Sequence, residues 1–220
     1  KALLGAVHQG TGYVIRHPLK ALAIGLVLQT RGVDAGNEFR VNQVTTGDQD
    51  YSSIAVLNQT ALVVWEDSRT GDYNVWERPF FSNGSAVNPE RIVNPTTQNL
   101  QAGPSVTTLR NGNLFFTWDD YQTGNFDVSG IVSDPYGTVG NEFPINNIKT
   151  GRQSYSRVKA LPDGNAMGAW LGDQKAAGVY DVYGGVFAPN GTTIGPQSQV
   201  NQNTTGTIYR PSIATSNDTI

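Results

Sequence analysis

Three short apolar runs, each closing on a tryptophan, set the rhythm of the chain: Ala61-Leu62-Val63-Val64-Trp65, Leu114-Phe115-Phe116-Thr117-Trp118 and Ala166-Met167-Gly168-Ala169-Trp170. Successive tryptophans stand 53 and 52 residues apart. A second mark keeps the same period. Gly36-Asn37-Glu38-Phe39-Arg40-Val41-Asn42 returns as Pro89-Glu90-Arg91-Ile92-Val93-Asn94, as Gly140-Asn141-Glu142-Phe143-Pro144-Ile145-Asn146, and more weakly as Gly195 to Asn201, with closing asparagines 52, 52 and 55 residues apart. A third follows each tryptophan, where acidic residues lead to a glycine and then an aromatic: Glu66-Asp67 to Gly71-Asp72-Tyr73, Asp119-Asp120 to Gly124-Asn125-Phe126, and Asp173 to Gly178-Val179-Tyr180. Marks that agree on one period of about 52 to 54 residues mean tandem copies of one supersecondary unit.

Within a period the β-branched and aromatic residues fall into four short runs bounded by Gly, Asn, Asp and Pro, the signature of strands. In the middle repeat these are roughly Ser105–Leu109, Leu114–Asp119, Phe126–Val132 and Glu142–Ile145. Arg110-Asn111-Gly112-Asn113 predicts a tight hairpin, because Asn-Gly supplies the positive φ angles such turns need, and Leu161-Pro162-Asp163-Gly164 is its counterpart in the next repeat. Pro144 has no N–H for a central ladder, so its strand belongs at a sheet edge. The 3.6-residue period of helical repeats is absent. The chain is therefore expected to be all-β, built of tandem four-stranded antiparallel repeats.

The stretch Val64-Trp65-Glu66-Asp67-Ser68-Arg69-Thr70-Gly71-Asp72-Tyr73-Asn74-Val75 resembles the Trp-x-Asp-x-Arg-x-Gly-aromatic-Asp-Ile-Tyr repeat of propeller-like proteins secreted by, or displayed on, bacteria and archaea. The Gly-Asn-Glu-Phe-x-Val/Ile-Asn signature fits the same group, and the resemblance covers about Gly36 to Ile220. In the third repeat Leu171-Gly172-Asp173 departs from the pattern, and no arginine follows. The resemblance implies β-propeller blades, in a group that includes surface adhesins and sialidase-like proteins.

Residues 36–220 hold about three and a half repeats; from Ile213 the fourth shows only its first strand. A ring of four to eight blades is incomplete at that point, so closure is expected from further repeats of a longer chain or from other copies of this one. Residues 1–35 fit the period poorly and read as an N-terminal arm: a strand packed into the first blade, a donor strand for another copy, or a signal-like segment. The apolar run Ala21 to Leu28 has eight residues, against the roughly 20 that span a bilayer, so no membrane span is expected.

Charged residues make up 15% of the chain, below the usual value of about 25%, and Asn, Gln, Thr, Ser and 25 glycines take their place, a mixture suited to strands and turns. A net charge of −3 offers no basic field for a phosphate backbone, which argues against nucleic acid as a partner. Without cysteine there are no disulfides, thiolate nucleophiles or Cys-ligated zinc. His8 and His17 both precede the repeats, so the repeated body cannot supply a Ser-His-Asp or multi-histidine constellation.

Asp67, Asp72, Asp119, Asp120, Asp127, Asp173 and Asp181 lie beside glycine turns as hard oxygen donors that suit Ca²⁺, although EF-hand and nonapeptide spacings are missing; Asx turns and strand-end hydrogen bonds are the plainer use of the same residues. Trp65, Trp118 and Trp170 read as packing between blades rather than as a ligand platform. Sequons stand at Asn58, Asn83, Asn190, Asn203 and Asn217. A glycosidase pair could be drawn from Glu66, Asp67, Asp119 and Asp120, but they occupy equivalent places in successive repeats, which argues structure. Arg69, Arg110, Arg152, Arg157 and Arg210 share no repeat position that would gather them around a carboxylate.

The function expected from the sequence is an extracellular or cell-surface structural or adhesive module without catalytic activity, a candidate fibre or filament subunit and glycoprotein that contacts its own copies or surface glycans. The alternative is a carbohydrate-active propeller, either a sialidase-like glycoside hydrolase or a carbohydrate-binding module.

Overall fold

A computed structural model describes residues 23–24, 38–57, 59–134, 137, 139–205 and 208–215. Apart from Ala23 and Ile24, the segment 1–35 lies outside them, and with it the choice between a signal-like segment and a donor strand. The strands are β1 (Ala23–Ile24), β2 (Phe39–Arg40), β3 (Gln49–Leu57), β4 (Thr60–Asp67), β5 (Asn74–Phe81), β6 (Arg91–Ile92), β7 (Gln101–Thr108), β8 (Leu114–Asp120), β9 (Asp127–Ser133), β10 (Phe143–Pro144), β11 (Gln153–Ala160), β12 (Ala166–Gly172), β13 (Asp181–Phe187) and β14 (Thr193–Gln199). They form three antiparallel four-stranded sheets in sequential order, β3 to β6, β7 to β10 and β11 to β14, with β1 paired to β2 in a two-stranded piece. The fold is all-β and propeller-like, one sheet per repeat. Phe39–Arg40 occupies the repeat position of β6 and β10, the outermost strand of a blade.

The apolar-to-Trp runs become the second strand of each blade. Every residue of β8 is buried, and β4 and β12 are buried at all but one position each, because these strands are covered on both faces. A strand enclosed on both sides loses the alternation of a half-exposed one and reads as a continuous apolar run. The blades pack through interleaved cores. Val64, Val75 and Val93 of the first blade meet Val106, Phe116, Trp118 and Ile131 of the second, and Phe115, Val128 and Ile145 of the second meet Val158, Trp170 and Phe187 of the third. Trp65 packs with Val41 and Phe39, so each tryptophan faces back toward the preceding repeat. All three are at most 2% exposed, which removes them as a ligand platform.

The asparagine that closes each repeat is a buried clamp. Asn94 Oδ1 accepts the Val75 N–H of β5 at 2.7 Å, while its Nδ2 donates to Asn74 Oδ1, to the Thr96 carbonyl and, at 3.3 Å, to Gln101 Oε1 at the start of the next blade. Asn146 repeats the pattern with Val128, Asp127, Ile148 and Gln153. One amide thus satisfies a third strand, its own loop and the neighbouring blade, and no other side chain combines that acceptor and donor pair at such a length. The glutamine partners Gln49, Gln101 and Gln153, 52 residues apart, are a fourth repeat mark.

The hairpin in the second blade forms where expected, with Leu109 N–H bonded to the Asn113 carbonyl at 2.8 Å and Gly112 N–H to the Leu109 carbonyl at 2.9 Å. Only Gly112 carries a positive φ (87°), so the turn is a single left-handed glycine after a right-handed turn rather than two left-handed residues. Pro144 pairs with Ser129 in an edge strand, as its missing N–H requires.

Candidate active site

The innermost strands β3, β7 and β11 lie side by side, tied by side chains: Ser53 Oγ accepts the Val106 N–H at 3.3 Å, and Ser105 Oγ the Val158 N–H at 3.1 Å. Each carries a bulge near its start, between Asp50 and Ser53, Ala102 and Ser105, and Ser154 and Arg157. The bulge puts one residue in the left-handed region: Tyr51 (φ 47°), Gly103 (59°) and Tyr155 (58°). For the two tyrosines this conformation costs roughly 1–2 kcal/mol each, a strain tolerated where the surroundings fix the backbone.

At Gly103 and Tyr155 a carboxylate from the preceding blade fixes it. Glu66 Oε2 accepts the Gly103 N–H at 2.7 Å. Asp119 Oδ2 accepts the Tyr155 N–H at 2.9 Å, and its Oδ1 takes a longer bond of 3.5 Å from Ser156. Both carboxyls directly follow a buried tryptophan, on β4 and β8, and the register of those strands turns them toward the axis of the blades. There they line one cavity of about 370 Å³ with Asp50, Tyr51, Tyr73, Phe126, Arg152 and Tyr155. Asp50 sits at the head of β3, its Oδ1 accepting the Tyr51 N–H at 2.8 Å.

Burial dominates the electrostatics. Glu66 is pushed up to about 7 by loss of hydration, opposed by the Gly103 N–H and reinforced by the charges of Asp50 and Asp119, with Arg210 pulling the other way. Asp119 is likewise pushed up to about 7 by burial, against the Tyr155 and Ser156 N–H groups and the charges of Arg152 and Arg157. The Tyr73 hydroxyl is pushed up to about 12 by burial and by Asp48, to whose Oδ2 it donates at 3.2 Å. Burial thus holds both carboxyls well above the ordinary carboxylate range, the direction that acid and base chemistry needs and that ordinary surface carboxylates do not take.

Of the four carboxylates weighed as a glycosidase pair, Glu66 and Asp119 enter the cavity and Asp67 and Asp120 do not. Asp67 is fully buried among its own partners: Trp65 Nε1 donates to it at 3.2 Å, the Arg69 N–H at 2.8 Å, and the Arg69 guanidinium pairs with it and with Glu90. Asp120 accepts from the Gln122 N–H at 2.9 Å and from Ser129 at 3.0 Å. Asp127 takes Asn146 at 2.7 Å, Asp173 the N–H groups of Arg152 and Gly178, and Asp181 takes Asn201 and Lys175. Asp72 lies in an exposed turn whose carbonyl accepts from Asn74 at 3.3 Å. Among the described residues no three acidic or histidine side chains converge as a metal cage, so the aspartates suggested for Ca²⁺ are dispersed over separate strand ends. Asn83, Asn190 and Asn203 are exposed at turns, each accepting the N–H two residues on; Asn58 and Asn217 lie outside the described residues.

Equivalence in sequence does not argue against a site here. In this geometry equivalent positions of successive blades face one cavity, so Glu66 and Asp119 line it together. The arginines reach the site without sharing a repeat position. Arg152, Arg157 and Arg210 have different repeat positions, yet Arg152 lines the cavity, Arg210 stacks over its tyrosines and Arg157 acts on Asp119, whereas Arg69 and Arg110 lie elsewhere. The sequence reading does not single out Asp50, Tyr51 and Tyr155, and it sets Arg210 aside with the other arginines. The signal was present, because Tyr51, Gly103, Tyr155 and Arg210 stand at one repeat position, 52, 52 and 55 residues apart.

No family model and no curated protein matches the sequence. Solved structures do resemble it in fold. An endo-arabinase from Bacteroides thetaiotaomicron is 15% identical, with a TM-score of 0.51 over 76% of this chain and 67% of that one. A thermostable family-43 glycoside hydrolase is 11% identical, with a TM-score of 0.50 over 74% of this chain and 56% of that one. This chain thus spans about two thirds of the first and a little over half of the second. These neighbours overturn the expectation of a non-catalytic structural or adhesive module forming fibres or filaments: they are glycoside hydrolases built on the same arrangement of sheets.

Proposed function

We propose that this chain carries the reacting centre of a glycoside hydrolase. The observation that supports this reading is the meeting of three carboxyl groups from three strands, Asp50 on β3, Glu66 on β4 and Asp119 on β8, in one cavity walled by Tyr51, Tyr73, Phe126 and Tyr155. Its volume falls within the range of small-ligand sites, roughly 300–1,000 Å³. Aromatic rings offer flat apolar faces for the C–H face of a sugar. The three carboxyls supply what C–O cleavage demands, a proton for the leaving oxygen and a second carboxylate that either activates water or attacks the anomeric carbon.

Glu66 is the proton donor. Its elevated pKa keeps it protonated near neutrality, and the Gly103 N–H fixes one oxygen. Asp119, with backbone N–H groups on both oxygens, is the least free of the three to move toward substrate; its charge helps keep the proton on Glu66. Asp50 is left as the second reacting carboxylate. An extended glycan is met outside the cytoplasm, and the reading carries with it an extracellular or cell-surface location.

A panel of aryl arabinosides, xylosides, glucuronides and sialosides, with arabinan and xylan, tests the reading. Turnover should fall by about 100-fold or more in Glu66→Gln and Asp50→Asn, the scale of a lost acid or base. Turnover that survives both substitutions, or no turnover on any member of the panel by the folded protein, would refute it.

A further inference from the structure

We propose that the cleft between the outer parts of the first and second blades is a second binding site, for a small organic ammonium with a ring-sized apolar body, its cation taken by Glu77. The cleft lies at the far end of β3 and β4 from Asp50 and Glu66, beside Leu57 and Thr60. It holds about 450 Å³ and is walled by Leu57, Leu62, Pro79, Val87, Pro89 and Leu114, with Glu77, Glu90 and Arg91 as its charged members. Asn88, Pro89 and Arg91 are exposed, so the cleft opens to solvent.

The space exists because this interface departs from the next one. Between the second and third blades three rings fill the corresponding place: Phe115 packs on Phe143 at 5.5 Å and on Phe187 at 5.9 Å between centroids. One repeat earlier those positions hold Leu62, Arg91 and Ser133. An aliphatic chain, a cation and a hydroxyl stand where rings pack elsewhere, and a cavity is left. Glu77 breaks the repeat as well. Its counterparts are Gly130 and Gly184, and at Gly130 even a Cβ would come within 2.8 Å of Ile145 Cδ1.

Glu77 lacks a partner. Its side chain is 4% exposed; Arg91 Nε donates to Oε1 at 2.5 Å, while Oε2 is buried with no hydrogen-bond partner. Arg91 is engaged across the cleft, its Nη1 donating to the Gly137 carbonyl at 2.7 Å. A buried carboxylate oxygen without a donor bears the cost of its lost hydration, which a ligand N–H would offset. The ion pairs beside it do not balance either. Asp67, Glu90 and Glu77 are paired by two guanidinium groups, Arg69 and Arg91, and Arg78, on the other face of β5, donates to the Val41 and Asn88 carbonyls. One negative charge remains, which favours a cation. Among the described residues no aromatic ring lines the cleft, so a sugar finds none of the flat faces that the first cavity offers.

Calorimetry, with NMR shifts of the Leu62, Val87 and Leu114 methyl groups to locate the ligand, tests the proposal. The probes are benzylamine, benzyl alcohol, phenylacetate and methylamine. Benzylamine should bind at least about tenfold tighter than the alcohol, as a charge-assisted contact predicts, and salt should narrow the gap. Methylamine, without the ring, should bind more weakly, and phenylacetate should not bind. Glu77→Gln should abolish the preference for the amine, and Glu77→Gly with Arg91→Phe, which rebuilds the filled interface, should abolish binding of every probe, in proteins whose melting curves confirm folding. Equal binding of amine and alcohol, no binding of any probe to the folded protein, or an amine preference that survives Glu77→Gln would each overturn the proposal. So would amine binding lost in Glu66→Gln and kept in Glu77→Gln, which would place the amine in the first cavity.

Discussion

Replacing Glu66 by glutamine should change the pH dependence of stability more than stability itself. Glu66 is 6% exposed and lies among Asp50, Asp119 and the Gly103 N–H, and its pKa moves from 4.5 to about 7 on folding. Because the folded value is the higher one, the folded state keeps the proton while the unfolded chain loses it. The associated stability is complete below pH 4.5, declines as pH rises toward 7, and is gone above it. The shift corresponds to about 3 kcal/mol between the two limits. Glutamine imitates the protonated form, so Glu66→Gln should match the parent near pH 4 and exceed it by about 3 kcal/mol at pH 8 and above. Urea denaturation at pH 4, 5, 6, 7, 8 and 9, read by tryptophan fluorescence, measures the difference directly. Curves that stay parallel across this range would show that Glu66 is hydrated and ordinary, and both the burial argument and its role as proton donor would fall together.

Other expectations follow from the same geometry. Asp119→Asn removes a charge that raises Glu66, so the alkaline limb of any pH–rate profile, where the proton donor is lost, should move to lower pH. Asn94→Ala leaves the buried Val75 N–H without its acceptor and unlinks Gln101, and should cost about 2–4 kcal/mol in chemical denaturation, a loss that Asn94→Asp restores only in part because a carboxylate cannot donate to Thr96. In Gly130→Ala the new Cβ would lie 2.8 Å from Ile145 Cδ1 and 3.1 Å from the Phe116 carbonyl, so overpacking should cost about 1–3 kcal/mol, measurable as a lower melting temperature.

The four-strand repeat could be read from the sequence because each of its marks serves a local need. The apolar-to-Trp run is the strand covered on both faces, the Asn-Gly pair is the hairpin, and Pro144 stands where a ladder bond is not required. The closing asparagine was visible too, although its work as a clamp between blades was not, since three of its partners lie up to 20 residues away. The cavity was harder to see. Glu66 and Asp119 look like structural repeats in one dimension, and they are that, holding bulges in the next blade, as well as lining the cavity.

By itself the sequence determined the period, the strand type and the edge, since these depend on residues within reach of one hairpin. The tertiary structure alone decided which side chains meet. Asp50, Glu66, Asp119 and Arg210 are spread over 160 residues and three repeats, and only the lateral packing of β3, β7 and β11 brings them to one axis. That packing also removes the water, and it is the loss of water that turns ordinary carboxyls into groups poised near neutrality.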